Sequence, residues 1–247
     1  MTQHALYTFE PPHVTLAGSA VTNVADQSVN NYGLVAAGAP QYEEFSWNGH
    51  PAIVFDGVGD TLKQTTGLGQ DMIGGTDTPC IMFIVFQQLQ ANYVSGDAVW
   101  SCGDNASANP FFRFVISSQT GGRRWEFRKR DAATGAGSGA GGNGSVADFN
   151  PHVATLTTDG TACTIKIDNI TVFSGAMDVG DMGAIDTFAL ACLSRNTDAG
   201  FCAMRCWAVS IHDTLTAGEE LDIFTLYNDR YCLRQVNTCG DHFRRRI

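Results

Sequence analysis

Apolar and polar residues in this chain alternate in short runs, with one exception near the middle. Cys80-Ile-Met-Phe-Ile-Val-Phe86 is apolar at every position. A strand of that kind buries both faces and belongs at the centre of a sheet. The runs before it, at residues 5–9, 14–17 and 32–36, are separated by turn formers such as Asn30-Asn31 and Ala39-Pro40, and Tyr7 and Phe9 share one face of the first. Ile53-Val-Phe55 is a further short strand. Asp56-Gly57 and Gly59-Asp60 follow with residues that tolerate positive φ, before Leu62 resumes extended structure. Residues 67–79 read as a loop.

After the central run, residues 97–102 and 111–117 predict two strands, and Gly121-Gly122 turns the chain into Arg123-Arg-Trp-Glu-Phe-Arg-Lys-Arg130. There the period of two places Trp125 and Phe127 on one face with Arg123 and Lys129, and Arg124, Glu126, Arg128 and Arg130 on the other. Residues 131–145 hold six glycines among Ala and Ser, a composition with nothing to bury, and are expected to form a long mobile or partner-ordered loop. Residues 152–158 and 163–173 form a hairpin across Asp159-Gly160, with a second turn available at Asp168-Asn169. Residues 187–193 and 201–212 supply the last strands. Thr216-Ala-Gly-Glu219 is a capping box, and Leu221, Ile223, Phe224 and Tyr227 give the helix behind it an apolar side.

Composition sharpens this all-β picture. Of 25 acidic residues 19 are Asp and 6 are Glu, and with 27 Gly the chain favours turns over helices. The net charge of −10 argues against direct nucleic-acid binding. No apolar run approaches the roughly 20 residues that a membrane span needs, and no signal peptide is visible at the N-terminus, so no membrane partner and a cytoplasmic origin are expected. In that compartment thiols stay reduced, and Cys80, Cys163, Cys192, Cys202 and Cys206, all inside apolar runs, are read as free buried cysteines.

The string Trp47-Asn-Gly-His-Pro-Ala, then Val54-Phe-Asp-Gly-x-Gly-Asp-x-Leu62, then an apolar strand about twenty residues on, resembles the opening of the concanavalin A-like lectin/glucanase sandwich in its laminin-G-like and pentraxin-like branch. Val21-Thr-Asn-Val-Ala-Asp-Gln-Ser28 is similar to the segment before this motif in bacteriophage virion proteins. The strand, capping box and single helix ending in Tyr also resemble the close of that fold. The resemblance implies a jelly-roll β-sandwich of two antiparallel sheets with one short C-terminal helix. It would form one domain over residues 1–231, with 131–145 inserted and 232–247 as a tail. Its core would contain Phe55, Ile81, Phe83, Val85, Phe114, Ile165 and Trp207.

The glucanases of this superfamily carry a Glu-x-Asp-x-(x)-Glu strand motif, and this chain does not. Glu43-Glu44 falls in a loop and Glu219-Glu220 at a helix start, so no catalytic residue is assigned. Cys232, Cys239 and His242 match no standard zinc finger and lack a fourth ligand. No metal site or cofactor is therefore expected; calcium would have to use Asp178 and Asp181 or Asp104 and Asn105, two pairs far apart in sequence. Trp47 and Trp125 are the candidate sugar platforms, because Trp100 and Trp207 lie in core-like strands.

Arg123, Arg124, Arg128, Lys129, Arg130, Arg244, Arg245 and Arg246 collect eight of the fifteen positive charges in two short pieces, a pattern suited to docking on an acidic partner. The expected role is a non-catalytic structural protein of a bacteriophage virion, as capsid decoration or part of a tail or fibre. Its partners would be other virion proteins in a homo-oligomer or array. The alternative is a carbohydrate-binding adhesin module that recognises a surface glycan.

Overall fold

The computed structural model describes residues 3–73, 79–89, 97–109, 111–119, 122–130, 137–146, 148–159, 161–176 and 185–231, with backbone alone at 73, 117–119, 122, 123 and 137–146. Strands dominate. The first seven are β1 (Gln3–Thr8), β2 (Val14–Ala17), β3 (Ala20–Val24), β4 (Leu34–Ala37), β5 (Gln41–Glu43), β6 (Ala52–Asp56) and β7 (Thr61–Gln64). A six-residue helix, α1 (Leu68–Ile73), stands in the region expected to be loop; Leu68 and Met72, four apart, both bury in the core and hold it there. Then come β8 (Cys80–Gln88), β9 (Asp97–Gly103), β10 (Phe111–Gln119), β11 (Gly122–Arg130) and β12 (Gly137–Val146). The chain closes with β13 (Pro151–Thr158), β14 (Ala162–Ile167), β15 (Ile170–Ala176), β16 (Thr187–Leu190), β17 (Ala203–His212) and α2 (Ala217–Tyr231).

The pairings are antiparallel and fall into two layers. In the first, β6 and β1 share one side of β17, and β8, β13, β14 and β15 follow in order on the other. In the second the order is β3, β4, β7, β16, β9, β10, β11, β12. Among the described residues the bridge from Ala20 to Gln41 joins the layers through β5, which pairs with β6. Strand β8 therefore sits between β17 and β13, as its unbroken apolar run demands.

The layers face each other across aromatic side chains. Phe86 of β8 meets Phe114 of β10 and Trp125 of β11 edge-on, with ring centroids 6.2 and 5.3 Å apart, and Trp100 meets Phe112, Phe127 and Phe188. Each such pair contributes about 0.5–1.5 kcal/mol beyond the area it buries. The expected core divides in two. Phe55, Phe114 and Ile165 lie between the sheets, whereas Ile81, Phe83, Val85 and Trp207 lie on the outer face of the first sheet. Helix α2 covers that face with Phe224, Tyr227 and Tyr231, spaced by three and four. Leu221, expected on the buried side, is half exposed, and Asn228 is the fourth buried residue of the helix.

Several local readings from sequence reappear in the backbone. Asp168 and Asn169, at φ 51° and 64°, turn β14 into β15. Glu219 N–H donates to Thr216 Oγ1 at 3.3 Å, and Thr216 N–H donates to a Glu219 carboxylate oxygen at 2.8 Å, closing the capping box. Cys80, Cys102, Cys192, Cys202 and Cys206 are buried and free, Cys163 is buried, and burial pushes the Cys80 thiol up to about 12. The glycine-rich stretch departs from expectation. Residues 137–146 form β12, paired with β11 so that Arg128 faces Gly139 and Arg130 faces Gly137. A strand edge offers unpaired N–H and C=O groups, and glycine satisfies them with backbone alone, so a segment whose only apolar side chains are Ala140 and Val146 still extends the sheet. Residues 131–136 lie outside the described residues.

Candidate functional site

The outer face of the second sheet is covered only in part. On β9, β10 and β11 the outward positions form cross-strand rows: Phe111 opposite Arg130, Arg113 opposite Arg128, Val115 opposite Glu126. The segment between β16 and β17 folds back over one end of this face. Ser101 Oγ donates to the Cys192 carbonyl at 2.8 Å and accepts from Ser194 N–H at 2.9 Å, and Ala98 N–H donates to the Gly200 carbonyl at 2.8 Å. Gly103 makes the close approach possible, since a Cβ there would stand 2.0 Å from the Ser194 carbonyl oxygen. The fold-back brings Arg195 over the sheet.

Between this segment and the strands opens a cleft of about 520 Å³, within the roughly 300–1,000 Å³ typical of small-ligand pockets. Arg113, Arg130, Arg195, Asp97, Phe111 and Phe201 line it. Gly57 adds backbone from the β6–β7 turn, where Asp56 Oδ1 accepts from the amides of Val58, Gly59 and Asp60 at 2.7, 3.2 and 3.4 Å. The corner of the lectin-like motif thus becomes part of the rim.

Positive charge is concentrated here. The Arg113 and Arg130 guanidiniums lie 5.1 and 5.3 Å from the centre of the Phe111 ring, both within cation–π range. Arg130 also reaches Asn109 Oδ1 at 3.4 Å, and Arg195 reaches the Ala108 carbonyl at 3.5 Å. Burial, with repulsion from Arg128, Arg195 and Arg130 partly offset by Glu126, pushes the Arg113 guanidinium down to about 10. It stays charged at neutral pH. Arg128 is paired with Glu126, at 2.9 and 3.1 Å, on the same face.

The residues singled out from sequence separate. Trp125 is not a sugar platform: it is 1% exposed, packed between Phe86 and Phe114. Its face of β11 points into the sandwich. Lys129 shares that face and is 3% exposed, so it is not a docking residue either. Arg124, Arg128 and Arg130 are on the outer face, half-buried, and only Arg130 reaches the cleft. Trp47 is 37% exposed beside the more exposed Phe45, in a turn anchored where Asn48 Nδ2 donates to the Tyr231 carbonyl at 2.7 Å. It does not line the cleft. The Arg123 side chain, Arg244, Arg245, Arg246, Asp178, Asp181, Cys232, Cys239 and His242 lie outside what the structure describes. Asp104 Oδ1 accepts from Ala106 N–H at 2.7 Å, closing its own turn. Among the described residues no group of three or more His, Cys, Asp or Glu is placed to hold a metal.

Arg113, Arg195 and Asp97 were not singled out from sequence. The available signal was Arg113 itself, a lone charge in the otherwise apolar run Phe111-Phe-Arg-Phe-Val-Ile116. Such a charge marks where an outer face is open to solvent. Arg195 carried no comparable signal.

Solved structures resemble this arrangement of strands. Domain 4 of AbnA, a GH43 extracellular arabinanase from Geobacillus stearothermophilus in complex with arabinotriose, aligns over 90% of this chain and 98% of its own, with a TM-score of 0.62 at 14% identity. The binding domain of Paraclostridial Mosquitocidal Protein 1 aligns over 92% of this chain with a TM-score of 0.67 at 12% identity. The fold is a concanavalin A-like jelly roll. A botulinum neurotoxin type C structure, whose uptake into cells depends on interaction with two ganglioside molecules, matches 95% of the chain with a TM-score of 0.59 at 12% identity. This jelly roll spans about half of each toxin chain, 52% in both cases. No protein family matches the chain, and the sequence of no curated protein matches it.

Proposed function

We propose that this protein is a non-catalytic carbohydrate-binding module whose site is the cleft over β9, β10 and β11. The observation that carries the reading is the cleft itself, in which charged side chains and apolar walls converge. The similar structures support it: an arabinanase domain holding arabinotriose, a toxin binding domain, and a toxin dependent on gangliosides. Five of the six glutamates are engaged in other contacts. Glu10, Glu43, Glu126 and Glu220 pair with Arg230, Arg205, Arg128 and Lys166, and Glu219 closes the capping box. The virion role rests on the sequence resemblance alone, and the glycan reading has the geometry in its favour.

A glycan array with the full-length chain, followed by calorimetry on the strongest hits, tests the proposal. Reproducible binding that Trp47→Ala leaves intact and that an Arg195→Gln change weakens is expected. Loss of binding on Trp47→Ala alone would move the site to the exposed corner at Phe45 and Trp47. Absence of binding across neutral and acidic glycans would remove the reading.

A further inference from the structure

The described lining of the cleft holds three guanidiniums and one carboxylate, a local charge of about +2 on a chain of net charge −10. Charge of that sign works against the fold: the three arginines repel one another, and Arg113 is driven toward deprotonation by burial first and then by Arg128, Arg195 and Arg130. Such an arrangement is relieved when an anion enters. Resting on the glycan-binding reading, we propose that the cleft takes the anionic group of an acidic sugar, a carboxylate or sulfate seated among Arg113, Arg130 and Arg195.

Geometry favours a small, single anion over an extended one. The two guanidiniums against Phe111 are held as planar forks, which suits bidentate contact to a carboxylate or sulfate and reduces the ordering needed on binding. Arg195 contributes from the opposite wall, carried by the segment that Ser101 and Gly103 hold against the sheet. Its Nε is buried and has no acceptor among the described residues. Phe201 and Leu193 form the apolar side against which a sugar ring can lie. Outside the cleft the excess of acidic residues acts on anything longer. Screening confines each charge to about 8 Å at physiological ionic strength. A single anionic group inside the cleft is governed by the arginines, whereas the length of a nucleic acid or a densely sulfated polymer crosses acidic surface. Asp97, also in the lining, can accept from a sugar hydroxyl and so fix which end of the ligand enters.

The test compares ligands on the unmodified full-length chain before any variant is made. The probes are a glucuronate-terminated oligosaccharide, its methyl ester, a monosulfated sugar, neutral arabinotriose and a DNA oligonucleotide, measured by calorimetry across a salt series. The acid or the sulfate, or both, should bind, with affinity falling as salt rises; the ester should bind about tenfold or more weakly, the loss expected for one charge-assisted hydrogen bond. Arg195→Gln and Arg130→Gln should each weaken the acidic sugar by a similar factor, with near-ultraviolet circular dichroism unchanged. If the ester and arabinotriose bind as tightly as the acid, the anion proposal fails while the glycan reading stands. If no sugar binds, both fail. Tighter binding of the oligonucleotide than of either acidic sugar would overturn the ligand class, and wild-type affinity in both variants would overturn the assignment of the arginines.

Discussion

Trp125 and Trp47 are alike in sequence, each an indole among polar neighbours, and they end in opposite surroundings. Trp125 is enclosed by Phe86, Phe114 and the edge of His152, while Trp47 stands on an exposed turn. Trp125→Ala is expected to cost about 3–5 kcal/mol, the range for emptying a large aromatic site in a core. Trp47→Ala should stay within roughly 0.5 kcal/mol. Denaturant unfolding of the two variants checks this, and equal losses would refute the placement. His212 carries a pH effect. Its ring lies edge-on to Phe83 at 6.0 Å, and neither ring nitrogen has a partner among the described residues. Burial first and His4 second push it down to about 4 from an ordinary 6.5, against the pull of Asp213 and Glu219. A base depressed in the folded state takes its proton first in the unfolded one. Its stability contribution is therefore intact above 6.5 and is lost as pH falls from there through about 4. His212→Leu should flatten that part of the profile, read as the difference in urea midpoint from wild type; an unchanged difference would mean that other groups set the acid limb.

At the scale of elements, the segment over β9 decides whether there is a site at all. It lies flat because Gly103 has no side chain to hold it off, and its two hydrogen bonds to Ser101 fix where Arg195 stands. Gly103→Ala is predicted to lift the segment, cost about 1–3 kcal/mol as an overpacking change, and weaken glycan binding without touching a lining residue. A variant with wild-type affinity and a lower melting temperature would show that the segment's position is irrelevant to binding. The glycine-rich strand β12 makes the opposite point about sequence. Composition marks it as unable to bury a core, and yet it pairs with β11 because backbone groups, not side chains, make the ladder. Propensity describes what side chains prefer. It does not register an open edge waiting nearby.

On the scale of the whole molecule, the outer faces of the two layers are covered differently among the described residues. Helix α2 packs on the outer face of the first sheet over Phe83, Val85 and Trp207, whereas among the described residues the outer face of the second carries the short segment near Leu193 and the small cluster of Ala98, Phe111 and Val115. The asymmetry places the cleft. It also separates charge: the arginines of β10, β11 and the covering segment meet on the open face of an acidic protein.

Much of the fold is a local matter and was legible in the sequence. The apolar run of β8, the hairpin of β13 and β14, the Asp168-Asn169 turn and the capping box each depend on residues within a few positions of one another, so their physics is complete in a short window. What only the tertiary structure decided is which partner each face meets. Met82, Ile84 and Phe86 alternate along β8 with Ile81, Phe83 and Val85, and nothing in that run tells which set lies between the sheets and which lies under the helix. The cleft is less local still. Gly57, Asp97, Arg113, Arg130 and Arg195 come from five separate stretches, and the repulsion that marks them as a site exists only at the distances set by strand pairing, because charge interaction depends on separation in space and not along the chain.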